Sequence, residues 1–112
     1  MGIKFEDPPR FSFVIPSYRS RRTIAFTLQA LKEMEGDERA ELLVVDSSPR
    51  AVGDWFRTHY PFVRILQVDE RLFPGAARNL GAQQARGEFL AFLDADTIPD
   101  PRWLVTLTEV LN

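Results

Sequence analysis

An α/β fold built on a mostly parallel sheet with helices on both faces is predicted by three observations. Four short apolar runs alternate with segments whose apolar residues recur at helical spacing. Each run ends in Pro, Ser or acidic residues, where a chain leaves a buried strand for a turn. The second run, Leu42 to Val45, is apolar without interruption, as in strands buried on both faces of a sheet. The 112 residues, 45% of them hydrophobic and including nine Phe, suffice for the core of one domain.

Residues 1–10 form a loose lead-in, because Pro8 and Pro9 oppose regular structure. The first strand is Phe11 to Ile15 and is expected to end at Pro16. Ser17 to Arg21 is a loop in which Ser20 is placed to cap the following helix. That helix spans about Arg22 to Glu35, with Ile24, Leu28, Leu31 and Met34 as one buried stripe and Gly36 and Asp37 as its break. The second strand stops at Asp46, before Ser47, Ser48 and Pro49. A short helix near Gly53 to Tyr60 carries Trp55 and Phe56 toward the core. The third strand, Val63 to Val68, ends at Asp69 and Glu70. Pro74 and Gly75 open a third helix that runs to Ala85, with Gly87 as its C-terminal stop. Ala77, Leu80, Gly81 and Ala85 give it a small-residue face suited to close approach to a sheet. The fourth strand lies in Glu88 to Leu93. Asp100 then caps a last helix that starts at Pro101 and puts Leu104, Leu107 and Leu111 in register.

Right-handed crossovers leave few ways to arrange such a chain, and the commonest gives strand order 3-2-1-4. Ligands of open parallel sheets bind beyond the carboxyl ends of the strands, where the order reverses. Pro16-Ser17-Tyr18, Asp46-Ser47-Ser48 and Asp94-Ala95-Asp96 are therefore expected along one rim. In an extended chain Asp94 and Asp96 point the same way and Ala95 the other. Two carboxylates so placed suit a hard divalent cation with positions left open for phosphate oxygens. Solvating the turn and capping the next segment would use the same residues.

Composition narrows the function further. A formal net charge of −2 offers no argument for nucleic acid or for general membrane adhesion. With no cysteine, disulfides and thiolate metal sites are excluded and a reducing compartment is allowed. No apolar run approaches the roughly 20 residues that span a bilayer, and Met1 to Pro9 does not read as a signal peptide. A soluble, cytoplasmic chain is expected, at the cytoplasmic face of a membrane in a longer form. His59, the one histidine, falls on the polar side of its helix. Arg19, Arg21 and Arg22 form an exposed basic edge at a helix start.

The segments FVIPSYRS, LLVVDSS, PGAARNLGAQQARGEFLAFLDAD and PDPRWL, in this order and spacing, resemble the N-terminal half of a family 2 glycosyltransferase of the GT-A fold. The resemblance runs from about Phe11 to Leu111. It implies that residues 11–112 are the nucleotide-diphospho-sugar-binding half of a truncated GT-A domain, with a UDP-linked sugar as donor. By that resemblance Pro16, Ser17 and Tyr18 line the base pocket, and Asp46 accepts a ring N–H of the base. Arg78, in the Ala-Arg-Asn signature, lies near the base or diphosphate. Asp94 lies near the ribose and the metal, and Asp96 is the direct ligand of Mn²⁺ or Mg²⁺. Many relatives carry two acidic residues after the second strand, whereas Ser47 follows Asp46 here. The general base is expected beyond Asn112; Glu109 has no motif around it.

Other readings use fewer of these residues. A sugar nucleotidylyltransferase needs a Gly-rich phosphate loop after the first strand, which PSYRSRR is not. A phosphoacceptor receiver domain needs a lysine after the fourth strand, which is absent. A catalytically incomplete nucleotide-binding or self-associating module keeps the fold without transfer. An open fourth-strand edge exposing Phe89, Leu90, Phe92 and Leu93 would make the chain a homo-oligomer, through that edge or the last helix.

Overall fold

The computed structural model describes residues 8–34 and 39–111. Four strands form one parallel sheet: β1 (Phe11–Ser17), β2 (Ala40–Asp46), β3 (Arg64–Gln67) and β4 (Phe89–Phe92). Their order is β3-β2-β1-β4, as right-handed crossovers favour. The helices alternate with them as α1 (Arg21–Lys32), α2 (Arg50–His59), α3 (Pro74–Gln84) and α4 (Trp103–Leu111).

Strand alternation divides the core into two layers. Phe11, Phe13 and Ile15 of β1 and Val44 of β2 face α1, α2 and α4, where they meet Ile24, Leu28, Leu31, Phe56 and Leu104. Val14, Leu43 and Val45 face the other way, onto Ala77 of α3. The small face of α3 is used as its composition suggests. A Cβ on Gly81 would lie 2.3 Å from Val14 Cγ1, so the glycine sets how near α3 sits to the sheet.

Four local expectations change in the folded chain. Pro16 does not end β1, which continues to Ser17 opposite Asp46 of β2. Val14 accepts its bond from Leu93 on the β4 side, while Ser17 accepts from Ser47 on the β2 side. Pro16 therefore faces β4, whose pairing with β1 ends at Val14, and no ladder N–H is lost there. Ser20 stands at the N-cap of α1 but its side chain makes no cap; its Oγ donates to Tyr18 O at 3.0 Å. Gly87 is not a left-handed helix stop, since α3 ends at Ala85 in an extended conformation. A Cβ on Gly87 would lie 2.6 Å from Ser12 N, so glycine is required by the close approach of β4 to β1. Leu93 is buried rather than exposed, because the chain turns inward past β4.

Asp100 caps as expected, Oδ1 accepting Arg102 N at 2.8 Å, although α4 begins two residues after Pro101. Of the α4 stripe, Leu104 is buried and Leu111 is exposed. Phe56 is fully buried, whereas Trp55 is half-buried against Phe56, His59 and Tyr60. His59 is exposed. Glu35 and the Gly36-Asp37 break, like residues 1–7 of the lead-in, lie outside the described residues. Among the described residues no helix is long and apolar enough to cross a membrane.

Candidate functional site

The carboxyl ends of β1 and β2 meet on one rim with the turn that follows β4. A cleft of about 360 Å³ opens there, lined among others by Pro16, Ser17, Tyr18, Arg71, Phe73 and Asp96. The first three belong to the end of β1 and its loop, Arg71 and Phe73 to the approach to α3, and Asp96 to the turn after β4. Segments far apart in sequence thus share one wall because the sheet order places β4 beside β1.

The Asp94-Ala95-Asp96 segment lies past the end of β4, and a Thr97 N to Asp94 O bond of 3.1 Å closes it as a turn. The expected alternation survives: both aspartates are exposed while Ala95 packs on the core. The turn is anchored from below. Thr27, fully buried on α1, donates its hydroxyl to Thr97 O at 2.6 Å and approaches Ala95 O at 3.3 Å. Nothing in the helical pattern of α1 singled out Thr27; its role requires α1 to pass beneath this turn.

Asp94 and Arg78 find each other at the rim. Arg78 Nη2 donates to Asp94 Oδ1 at 3.1 Å, with side chains 40% and 64% exposed. A pair so open to water contributes at most about 1 kcal/mol. Either partner can exchange it for a ligand at little cost. Neither lines the cleft itself.

Asp46 is fully buried, and its carboxyl oxygens meet three donors. Oδ1 accepts Ser48 Oγ at 2.8 Å; Oδ2 accepts Gln67 Nε2 at 3.1 Å and Ser48 N at 3.3 Å. Such donors offset the cost of burying its polar oxygens away from water. Ser48 Oγ also accepts Arg19 N at 2.6 Å, which ties the β1 loop to the end of β2. Arg19 has a φ of 50°, a conformation side chains avoid, and this bond helps hold it there.

Tyr18 is surrounded by cations. Arg71 Cζ lies 4.2 Å from its ring centroid and Arg19 Cζ 5.6 Å. Arg19 Nε donates to the phenol oxygen at 3.2 Å. This bond, assisted by the charges of Arg19 and Arg71, draws the phenol below its ordinary value of 10.0, against a smaller opposing effect of burial. Ser17 Oγ is the other notable group: it is buried at the cleft and has no hydrogen-bond partner among the described residues. Arg71 and Phe73 carry no sequence signal, since they fall in an irregular stretch between two elements.

Among the described residues no three His, Cys, Asp or Glu side chains cluster to hold a metal ion. The rim supplies two exposed carboxylates, a donor set that needs phosphate oxygens or water to complete a coordination sphere.

Comparison with known proteins agrees with this architecture. The family model for glycosyl transferase family 2 matches residues 12–112. Glycosyltransferase AglE of Haloferax volcanii is 36% identical over 101 residues, covering 86% of this chain and 33% of that protein. Succinoglycan biosynthesis protein ExoO of Rhizobium meliloti is 33% identical over 106 residues, covering 90% of this chain and 29% of its own length. S. aureus TarS in complex with UDP-GlcNAc superposes with a TM-score of 0.81 at 25% identity, over 91% of this chain and 31% of that one. The mannosyltransferase PcManGT from Pyrobaculum calidifontis, in complex with GDP-Man and Mn²⁺, gives 0.73 at 29% identity, over 94% and 33%. The chain thus spans about a third of the length of these relatives. On this match, and on the superposition with solved glycosyltransferases, the chain belongs to glycosyl transferase family 2 and has the GT-A fold.

Proposed function

We propose that this chain is the donor-binding part of a glycosyltransferase. It takes a nucleoside-diphosphate sugar, UDP-linked, together with Mn²⁺ or Mg²⁺, for transfer of the sugar to an acceptor hydroxyl. The observation that carries this reading is the opening of Asp96 into the same cleft as Ser17 and Tyr18. One wall can thereby hold both a nucleotide and the cation that accompanies its diphosphate. Relatives solved with UDP, UDP-GlcNAc and GDP-Man with Mn²⁺ support the substrate class.

In this reading Pro16, Ser17 and Tyr18 wall the nucleotide pocket. Asp46 lies beneath the rim as an acceptor for a ring N–H of the base, in exchange for one of its present donors. Arg78 releases Asp94 to meet the diphosphate, and Asp94 then serves the ribose and the metal while Asp96 ligates the metal directly. Two carboxylates fit a metal that arrives with its phosphates, as Mg²⁺ characteristically binds. Such a metal would act as a Lewis acid on the leaving diphosphate. A cytoplasmic setting fits a chain without cysteine.

Calorimetric titration of UDP with and without Mn²⁺, on the wild type and on Asp96→Asn, tests the reading. Metal-dependent binding that Asp96→Asn reduces at least tenfold is expected. Absence of any metal-dependent nucleotide binding by the wild type would overturn it, and GDP in place of UDP reports on the base.

A second property is favoured by the edge of the sheet. Leu90 and Phe92 on β4 are 40% and 45% exposed, and no described strand pairs with its outer side. We propose that the isolated chain self-associates along this edge.

A further inference from the structure

Arg71 belongs to none of the motifs that point to nucleotide binding, yet it is the cation most closely engaged with the cleft. Its guanidinium carbon lies 4.2 Å from the Tyr18 ring centroid and 5.0 Å from that of Phe73. Two aromatic contacts engage the guanidinium in a residue that is otherwise exposed, so its N–H donors remain within reach of a ligand. Among the described residues no carboxylate or carbonyl accepts from those donors. An arginine placed only for stability would be expected to pair with one of the nearby acids; Asp69 and Glu70 precede it directly and neither does so.

Two further features lie at or beside this wall. Ser17 Oγ, in a residue 4% exposed, lines the cleft and has no hydrogen-bond partner among the described residues. Helix α3 starts beside Arg71 without a side-chain cap and without an acidic residue in its first turn. The space where a Gly75 Cβ would stand is open to 4 Å. At the cleft itself a buried hydroxyl and a guanidinium in contact with two aromatic rings offer donors with no acceptor among the described residues, and the uncapped start of α3 adjoins them. The ligand that satisfies such a set is an anion with several oxygens.

We propose that Arg71 holds the diphosphate of the donor by a forked pair of N–H···O bonds, and that Tyr18 and Phe73 act as its stacking platform. This rests on the reading of the cleft as a nucleoside-diphosphate site. Tyr18 then serves the nucleotide through Arg71, as a positioning residue. Asp96 lies on the same cleft, so a metal there and Arg71 would share the charge of one diphosphate.

Binding of UDP, uridine and inorganic pyrophosphate, each with Mn²⁺, to the wild type, Arg71→Ala, Arg71→Lys, Tyr18→Ala and Arg71→Ala/Tyr18→Ala tests this. Arg71 is exposed, so its replacement leaves the fold intact, which a melting curve verifies. Arg71→Ala is expected to weaken UDP and pyrophosphate about 10- to 100-fold, the usual range for charged hydrogen bonds, and to leave uridine unchanged. Arg71→Lys recovers only part of this, because an ammonium lacks the fork. Adding Tyr18→Ala to Arg71→Ala costs less than Tyr18→Ala costs alone, as expected of residues acting in series. Wild-type affinity for UDP in Arg71→Ala overturns the proposal. So does tighter uridine binding, which would make Arg71 a plug in the base pocket. Arg71-dependent pyrophosphate binding without UDP binding would overturn only the nucleotide reading. A wild type that binds neither overturns both.

Discussion

Each site residue is defined by what already satisfies its polar atoms. Asp46 is fully buried and already accepts three hydrogen bonds, so its polar atoms are satisfied before any ligand arrives. Asp94 has one weak partner, and among the described residues no salt bridge engages Asp96; both are exposed, which the proposed metal site requires. Tyr18 gives a pH-dependent signature of its cationic surroundings. Its phenol is held below 10.0 chiefly by the Arg19 bond. A wild-type minus Tyr18→Phe ultraviolet titration is therefore expected to show a midpoint below 10.0. A group whose folded value is depressed stabilises the fold above its unfolded value, and that contribution disappears as pH falls through the folded value. Tyr18 therefore adds nothing by this route at neutral pH. Gly87 is a residue whose absent side chain matters. A Cβ there meets backbone atoms, Ser12 N at 2.6 Å and Phe11 C at 2.7 Å, which cannot rotate away. Gly87→Ala is expected to cost about 3 kcal/mol in urea unfolding, at the upper end of overpacking effects.

At the scale of elements, strands deliver residues to the rim and helices hold the loops there. The turn after β4 has no ladder of its own, and α1 supplies its anchor through Thr27. Thr27→Val keeps the shape and removes the donor, leaving carbonyls of Ala95 and Thr97 without it. A loss of about 1–2 kcal/mol is expected, together with weaker Mn²⁺-dependent UDP binding in calorimetry. Unchanged metal dependence would mean that the turn is held by its own i to i+3 bond. Strand positions and the buried stripes of α1 and α3 were legible in the sequence, because apolar spacing reflects which side faces the sheet. The end of β1 was not. Whether Pro16 breaks a strand depends on which neighbour its missing N–H would have met, and that neighbour is β4, far along the chain.

At the scale of the molecule, a central β1 flanked by β2 and β4 gathers one rim from distant segments. The same order leaves β4 with an unpaired outer side among the described residues. Leu90→Lys combined with Phe92→Lys is expected to shift light-scattering mass toward the monomer without altering the melting temperature by more than a few degrees. Equal mass for wild type and variant, over a wide concentration range, would count against association through this edge. The contrast between Leu93, buried, and Phe92, half-exposed, shows that the edge is narrower than an uninterrupted apolar run suggests.

The sequence by itself determined the four strands, the strand order and the identity of the rim. These depend on periodicity, crossover handedness and residues that end buried runs, all of which are local or topological. It also contained the motifs by which Asp46, Arg78, Asp94 and Asp96 are singled out. Only the tertiary structure decided what surrounds them: three donors on Asp46, Arg78 on Asp94, Thr27 beneath the turn. Arg71, between Tyr18 and Phe73, became visible only there as well. The longer of these pairings, Gln67 on Asp46, Thr27 on Thr97 and Arg71 on Tyr18, join separate elements through side-chain contacts, and no spacing along the chain encodes them.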